Sequence, residues 1–465
     1  MLDARLLSEL STLFAEGDMA TDADTLLRYG LDWTRYFTPH ASAVVFPRRL
    51  EQVVALVRWA GREGVALVPS GGRTGLSGGA VAAAGEVVVS FDRMQAISDF
   101  DPVNRTVRCQ AGVITRQLQQ FAEQHGLYYP VDFASSGSSQ IGGNISTNAG
   151  GIKVVRYGMT REWVVGLTVV TGSGEVLELN NGLAKNNTGY DLRHLFIGAE
   201  GTLGFIVDAT IKLVRPPAEL AVMVLAVPQL SGIMQIFNAF RAQLDLTAFE
   251  FFSEKALRHV LARGHVARPF DEAAEYYVLL EFEKLTEHTE GQALALFEQC
   301  AEQGWLVDGV LSQSGQQAAE LWRLREDISE SITPYTPYKN DIAITVSRVP
   351  AFVEQLDALL AREYPHFEVV WFGHIGDGNL HINVLKPAEL TVDEFRQACE
   401  RVNQHVFALV RAFKGSMSAE HGVGLLKRDY LEVTRSPAEI ALMHGIKQVF
   451  DPHGIMNPGK LLPKK

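Results

Sequence analysis

The sequence predicts an α+β protein of more than one lobe, and three observations carry that reading. In the first half, short apolar runs alternate with helical stripes and Gly-rich turns. After the pair Pro216-Pro217 the texture changes, and longer amphipathic stretches alternate with strands. The length, 465 residues, exceeds an ordinary single domain, so two or three lobes are expected.

In chain order, Val53, Leu56, Val57 and Ala60 form a helical stripe ending near Gly61 and Gly64. A short strand, Val65-Ala66-Leu67-Val68, should follow and break at Pro69. Further strands are expected at 87–90, 106–108 and 164–170, and glycines cluster from Gly71 to Gly204. Beyond Glu219, helices are expected over 234–244, 290–303, 351–363 and 392–413, with a strand at 276–280. A strand–turn–strand bearing histidines spans 368–384, and a Gly-rich tail closes the chain.

Composition narrows the function. The chain is 47% hydrophobic and 21% charged, as for a soluble globular protein. Its net charge is −12 and no basic run stands out, which argues against nucleic acid or an anionic membrane surface as partner. Cys109, Cys300 and Cys399 are far apart and form no CxxC pair, so they read as buried structural thiols. The first residues hold Asp3 and Glu9 and no apolar core, so no secretory signal is expected. No stretch approaches the ~20 apolar residues of a transmembrane segment. A reducing, cytoplasmic setting is expected.

Three small-residue loops carry the first chemistry. Residues 69–79 follow a strand, with glycines at 71, 72, 75, 78 and 79 that let backbone N–H groups converge on an anion such as a pyrophosphate. The pattern is neither a P-loop nor GxGxxG. Gly75-Leu76-Ser77-Gly78-Gly79 fits the GxSxG of a hydrolase elbow, but Gly78-Gly79-Ala80 begins a helix poorly. The second loop runs from Ser135 to Gly151 and the third from Gly198 to Gly204, and three such loops can line one long ligand. Pro-x-Gly-Gly-x-Thr-Gly-x-x-Gly-Gly, Ile-Gly-Gly-Asn-x-x-Thr-Asn-Ala-Gly-Gly and Gly-x-Glu-Gly-Thr-Leu-Gly together resemble the vanillyl-alcohol-oxidase-type FAD domain, over about residues 40–215. The resemblance implies that Pro69, Ser70, Gly71, Gly72, Arg73, Thr74 and Gly75 hold the pyrophosphate. Ser138, Gly142, Gly143, Asn144, Thr147 and Gly150 would contact the rest of the FAD, with Gly201 from the third loop. Some relatives hold flavin covalently through a His at the position of Arg73, so this chain is expected to bind FAD non-covalently.

The stretch 371–384 carries the second chemistry. Asp377-Gly378 between apolar alternations signals a two-residue hairpin turn. That turn would set His374 opposite His381, with Cβ atoms about 5 Å apart, and Asn383 on the same face. Two imidazoles so placed can bind a metal, although two polar residues on an exposed hairpin are the plainer reading. Glu420-His421, among small residues at 415–424, could complete a two-His, one-carboxylate site with open positions through Glu420. Zinc is expected there, with Mn²⁺, Fe²⁺ or Co²⁺ as alternatives. His421 would remain for proton transfer near neutral pH.

His-x6-His-x-Asn, Ser-Ala-Glu-His-Gly-Val-Gly and the terminal Asn-Pro-Gly-Lys resemble the FAD-linked D-lactate, glycolate and D-2-hydroxyglutarate dehydrogenases, so that the resemblance spans about residues 30–462. It implies that His374, His381 and Glu420 are metal ligands, that His421 is the base and that Asn457 lies near the flavin ring. On the helix 320–329, Arg325 and Ser329 stand four apart on one face, and an Arg there is ordinarily a solvated ion-pair partner. Leu324-Arg325-Glu326, however, matches the D-2-hydroxyglutarate dehydrogenases, which implies that Arg325, Ser329 (in place of a Thr), Lys339 and Asn383 bind substrate. The loop before Lys339 is one residue shorter than the family pattern. The implied organisation is an N-terminal helical segment (1–39), a two-subdomain FAD-binding domain (40–217), an α+β substrate or cap domain with the metal hairpin (218–413) and a C-terminal segment returning to the flavin (414–465).

The expected activity is metal-assisted oxidation of a D-2-hydroxy acid, D-2-hydroxyglutarate first and D-malate next, the D-configuration coming from the resemblance. A D-lactate or glycolate dehydrogenase or oxidase is the alternative within the family. A non-catalytic flavin- and metal-binding subunit is the alternative of another class. The resemblance further implies electron-transfer flavoprotein or a quinone as acceptor, and a homodimer.

Overall fold

The computed structural model describes residues 1–34, 36–271 and 273–463. The chain forms two units: residues 1–150, 158–216 and 420–465 make the first, and 151–157 with 217–419 the second.

The first unit holds two sheets. One has four strands in the order Met19–Ala20, Ala43–Val45, Val87–Ser90, Leu67–Ser70, of which the last three run parallel. The other is antiparallel, in the order Ile97–Asp101, Thr106–Gln110, Gly204–Lys212, Val164–Thr171, Val176–Leu179. The helix Leu50–Glu63 buries Val53, Leu56, Val57, Trp59 and Ala60 and ends at Gly64, as its stripe predicts. These side chains share one core with Val45 and Val87 of the first sheet and Val170 and Phe205 of the second. Truncating Leu56 to Ala in that core would cost about 2–5 kcal/mol.

Pro69 does not break its strand, contrary to the sequence expectation. The strand runs from Leu67 to Ser70 with Pro69 paired to Val89. It is the edge strand, so Pro69 faces no further ladder that needs its missing N–H. One residue of the edge is used by the tail: Leu67 N–H donates to Ile455, and Asn457 N–H to Leu67.

The second unit is built on a seven-stranded antiparallel sheet, in the order Asp308–Leu311, Leu220–Val227, Tyr276–Glu283, Leu246–Ser253, Val369–Gly373, Asn379–Val384, Tyr338–Ala343. The helices Leu230–Arg241, Thr289–Glu302, Val349–Glu363 and Val392–Ala412 form where the sequence places them, within a few residues at each end. On the other face, Ala256, Leu257, Trp322 and Ile328 pack against Phe252, Leu279 and Phe372. Residues 151–157, expected with the FAD-binding stretch, group here because Lys153 pairs with buried Glu281 and Arg156 with Asp245. Glu281 also takes the Thr247 hydroxyl and the Trp322 indole N–H.

The helix expected over 320–329 is two helices. Gly315–Glu326 and Ile328–Ile332 are separated by Asp327 alone, whose backbone is itself right-handed helical at φ −73, ψ −6. Arg323 pairs with Asp327 one turn on, at 3.0 Å.

Candidate active site

In the first unit the glycine loops press on one another. An added Cβ at Gly72 would lie 2.2 Å from the Ser138 carbonyl oxygen, and at Gly201 2.5 Å from Pro69 Cγ. Only glycine permits either approach, so the first loop is clamped between the second and the third. At Gly143, by contrast, an added Cβ meets nothing within 4 Å. The open side is lined by Gly143, exposed Ser138 and the Thr147 hydroxyl, which donates back to the Gly143 carbonyl.

Several predicted cofactor contacts also serve the scaffold. Ser70 is buried and donates to the Tyr29 carbonyl. Asn144 is buried with its amide donating to Thr115. Arg73, at φ 58, donates to the Gly71 carbonyl and stacks 4.3 Å above the Tyr29 ring. Thr74 and Gly75 continue this loop, and Gly142 and Gly150 are buried within the second. Gln140 Oε1 and Asn457 Oδ1 are buried without a hydrogen-bond partner among the described residues, while Asn457 Nδ2 donates to the Gly79 and Glu200 carbonyls. A clamped loop cluster with an open glycine side and orphaned acceptors fits a flavin dinucleotide.

In the second unit the hairpin differs from the two-residue turn. Its strands stop at Gly373 and Asn379, and His381 pairs with Phe372 rather than with His374. The chain leaves the ladder at His374 because Gly376 N–H bonds the Phe249 carbonyl on the neighbouring strand, and Asn379 is tied by its amide to Asp341 and to the Ile342 carbonyl. The register is thus shifted by two, which preserves the face of every side chain. His374 and His381 become diagonal neighbours with ring centroids 5.4 Å apart and planes at 84°.

Carboxylates that the sequence reading missed surround both rings. His374 Nδ1 lies 2.8 Å from Glu250 Oε1, and Glu250 Oε2 lies 2.8 Å from Arg325 Nη2. His381 Nδ1 stands 3.7 Å from Asp341 Oδ1. With Nδ1–H of His374 given to Glu250, its Nε2 keeps a lone pair, the arrangement found behind metal-binding imidazoles. Burial pushes Asp377, at the turn, up to about 6, and the charges of Glu250 and Asp341 add to it against the pull of His374. Two oriented imidazoles ringed by carboxylates are a donor set for a divalent cation.

The substrate-binding candidates lie on the same face. Lys339 faces Asn383, and Asp341 faces His381, in the register of their strand pair. Lys339 is half-buried, has no hydrogen bond or ion pair among the described residues, and desolvation holds its ammonium below the usual lysine range. Asn383 is buried with Nδ2 unpartnered. Arg325 is buried over the Phe372 ring at 4.8 Å, with Nε unpartnered. Ser329 is half-buried on its separate helix. Every buried side-chain atom of this unit without a hydrogen-bond partner among the described residues belongs to this row: Arg325 Nε, Asn379 Oδ1, Asn383 Nδ2 and Glu250 Oε2, the last held by its ion pair alone. Native folds leave few such groups, and here they stand together where a polar ligand could meet them.

Ala419 closes the unit by donating its N–H to Asp341 Oδ2, and Glu420 and His421 follow it directly as the chain returns to the first unit. Glu250, Asp341 and Asn379 carried one sequence signal each. Glu250 is a lone carboxylate in an apolar strand, Asp341 stands two residues from Lys339, and Asn379 stands two from His381. No local pattern says that a carboxylate 124 residues away meets a given histidine.

Residues 216–461 match the family described as FAD linked oxidases, C-terminal domain, and residues 41–180 match an FAD binding domain. The chain is 62% identical over 461 residues to D-2-hydroxyglutarate dehydrogenase of Stutzerimonas stutzeri (strain A1501), covering 99% of both chains. It is 36% identical to the mitochondrial D-2-hydroxyglutarate dehydrogenase of Bos taurus, covering 96% of this chain and 81% of that one. The solved structure of p-cresol methylhydroxylase with substrate bound superposes with a TM-score of 0.78 at 15% identity, over 98% of this chain and 96% of the other. That of 4-ethylphenol oxidase from Gulosibacter chungangensis gives 0.75 at 15%, over 99% and 97%. Likeness at that identity is a likeness of fold, and the α+β vanillyl-alcohol-oxidase-type architecture is the fold observed. Among the described residues no helix is long and apolar enough to cross a membrane.

Proposed function

We propose, for a chain that belongs to the family of FAD-linked D-2-hydroxyglutarate dehydrogenases, that it oxidises D-2-hydroxyglutarate to 2-oxoglutarate, with non-covalent FAD and a divalent cation, zinc by donor type. The observation that carries the substrate is the pair formed by Lys339, a half-buried ammonium without a carboxylate partner among the described residues, and Asn383 opposite it with an amide nitrogen unpartnered among them. A substrate carboxylate is the acceptor that both donors lack. A lysine and an arginine on one polar face favour a dicarboxylate over lactate, and D-malate is the nearest competitor.

His374, His381 and Glu420 would hold the cation, which supplies Lewis acidity toward a 2-hydroxyl and its C1 carboxylate. Bound FAD would supply the two-electron acceptor for oxidation at C2 of the substrate. Lys339, Asn383 and Arg325 fix the carboxylates, with Ser329 nearby on the following helix, so that C2 is presented in one orientation. Glu250 orients His374 through Nδ1 and is itself anchored by Arg325, so substrate anchor and cation ligand share one carboxylate. His421 takes the hydroxyl proton at an imidazole nitrogen. Arg73 already engages Gly71 and Tyr29, which supports a flavin held without a covalent link.

Three buried free thiols suit a reducing compartment such as the cytoplasm. The family resemblance supports electron-transfer flavoprotein or a quinone as acceptor, and a homodimer. Anaerobic bleaching of the flavin band across D-2-hydroxyglutarate, D-malate, D-lactate and glycolate tests the assignment. The diacids should reduce the flavin fastest, and D-lactate outpacing both would overturn it.

A further inference from the structure

The GxSxG stretch around Ser77 has no place in the flavin or cation chemistry, and the structure gives it one. Ser77 is buried, and its hydroxyl is shared between the carbonyls of His421 at 2.8 Å and Gly422 at 2.9 Å. The Ser77 carbonyl in turn accepts the N–H groups of Leu425 and Leu426. Glu200, from the third glycine loop, meets the same segment from another direction. Its Oε1 accepts Val423 N–H at 2.7 Å, and its Oε2 accepts Gly424 N–H at 2.8 Å. Leu461 N–H completes the set on the Gly424 carbonyl. The fit is close: a Cβ at Gly424 would stand 2.1 Å from the Ser77 carbonyl oxygen.

Glu200 is costly where it stands. It is a buried carboxylate, and its backbone is left-handed at φ 51, a conformation that non-glycine residues rarely adopt. Both its oxygens go to backbone amides of one loop, and its own carbonyl takes the Asn457 amide. Two side chains thus account for four consecutive backbone positions, 421 to 424, starting at the residue assigned to take the substrate proton.

We propose that Ser77 and Glu200 are positioning residues that fix the backbone of the 421–424 loop and thereby aim the His421 imidazole. Ser77 is therefore a hydroxyl donor inside the fold and not a nucleophile. The inference rests on the assignment of His421 as proton acceptor. A fixed backbone matters there because a displacement of about 1 Å at a reacting group can cost about 100-fold in rate.

The test uses the full-length, FAD-loaded enzyme in anaerobic stopped-flow reduction by D-2-hydroxyglutarate, with flavin content measured for each variant. Ser77→Ala and the nearly isosteric Glu200→Gln should each slow flavin reduction by about 10-fold or more, with flavin content unchanged and substrate affinity within about twofold. In a His421→Ala background, either substitution should slow reduction further by less than about twofold, because a residue acting only through His421 has nothing left to aim. Singles that reduce at the wild-type rate would overturn the inference, as would full additivity in the His421→Ala background or losses that track lost flavin. A His421→Ala enzyme that reduces at the wild-type rate would instead remove the base assignment, and the inference with it.

Discussion

Lys339→Met separates the recognition of a diacid from the rest of the chemistry. Methionine keeps much of the apolar stem of lysine and removes the charge. In the native protein the ammonium faces Asn383 across the strand pair and meets no carboxylate among the described residues. If a distal substrate carboxylate is its partner, the substitution deletes a hydrogen bond between charged groups, worth about 1.5–3 kcal/mol. At about 1.4 kcal/mol per decade, that is about a 10- to 150-fold fall in kcat/KM for D-2-hydroxyglutarate. D-Lactate has the same 2-hydroxyl and C1 carboxylate but no distal group, so its kcat/KM should stay within about twofold. The assay is steady-state turnover of both acids with an artificial electron acceptor, on preparations matched for flavin content. Removing a desolvated, unpaired charge should not destabilise the fold, so the urea midpoint should hold or rise. An equal fall for both acids would refute the reasoning, as would an unchanged preference for the diacid.

Four other outcomes follow from the same geometry. Dialysis against a strong chelator should abolish flavin reduction in FAD-loaded enzyme, with recovery on adding Zn²⁺; Glu250→Gln, which weakens the support of His374 Nδ1, should lower cation affinity by about 10- to 100-fold in a chelator competition, and unchanged affinity would exclude that role. Acid-denatured protein should leave its flavin in the supernatant, whereas a yellow pellet would contradict non-covalent binding through the Arg73 loop. Burial lowers Lys460 from 10.5 to about 8, against the attraction of Glu86. Between those values the unfolded chain holds a proton that the folded chain lacks, so this group makes stability rise with pH from about 8 to 10.5, by roughly 3 kcal/mol. Lys460→Met should remove that rise from urea midpoints taken across the window, and an identical pH slope in both proteins would refute it.

The sequence by itself determined much about this protein. The three glycine loops were legible as places of close backbone approach, which needs glycine whatever surrounds it, and their resemblance to the vanillyl-alcohol-oxidase-type FAD domain pointed to flavin. The stripe of Val53, Leu56, Val57 and Ala60 determined its helix, since a period of 3.6 is a local property. The histidine pair was legible even though the turn was misjudged: moving the register by two residues leaves His374 and His381 on one face. Tertiary structure decided what local periodicity cannot hold. It let Pro69 stay within a strand by placing that strand at a sheet edge. It interrupted the helical run 315–332 at Asp327 alone, between Arg325 and Ser329. It also chose Glu250 and Asp341 as partners of the two imidazoles through cross-strand pairing, in which a carboxylate meets a ring 124 residues away. Which strand lies beside which is set by burial of the whole sheet, and the chemistry around His374 and His381 is inherited from that choice.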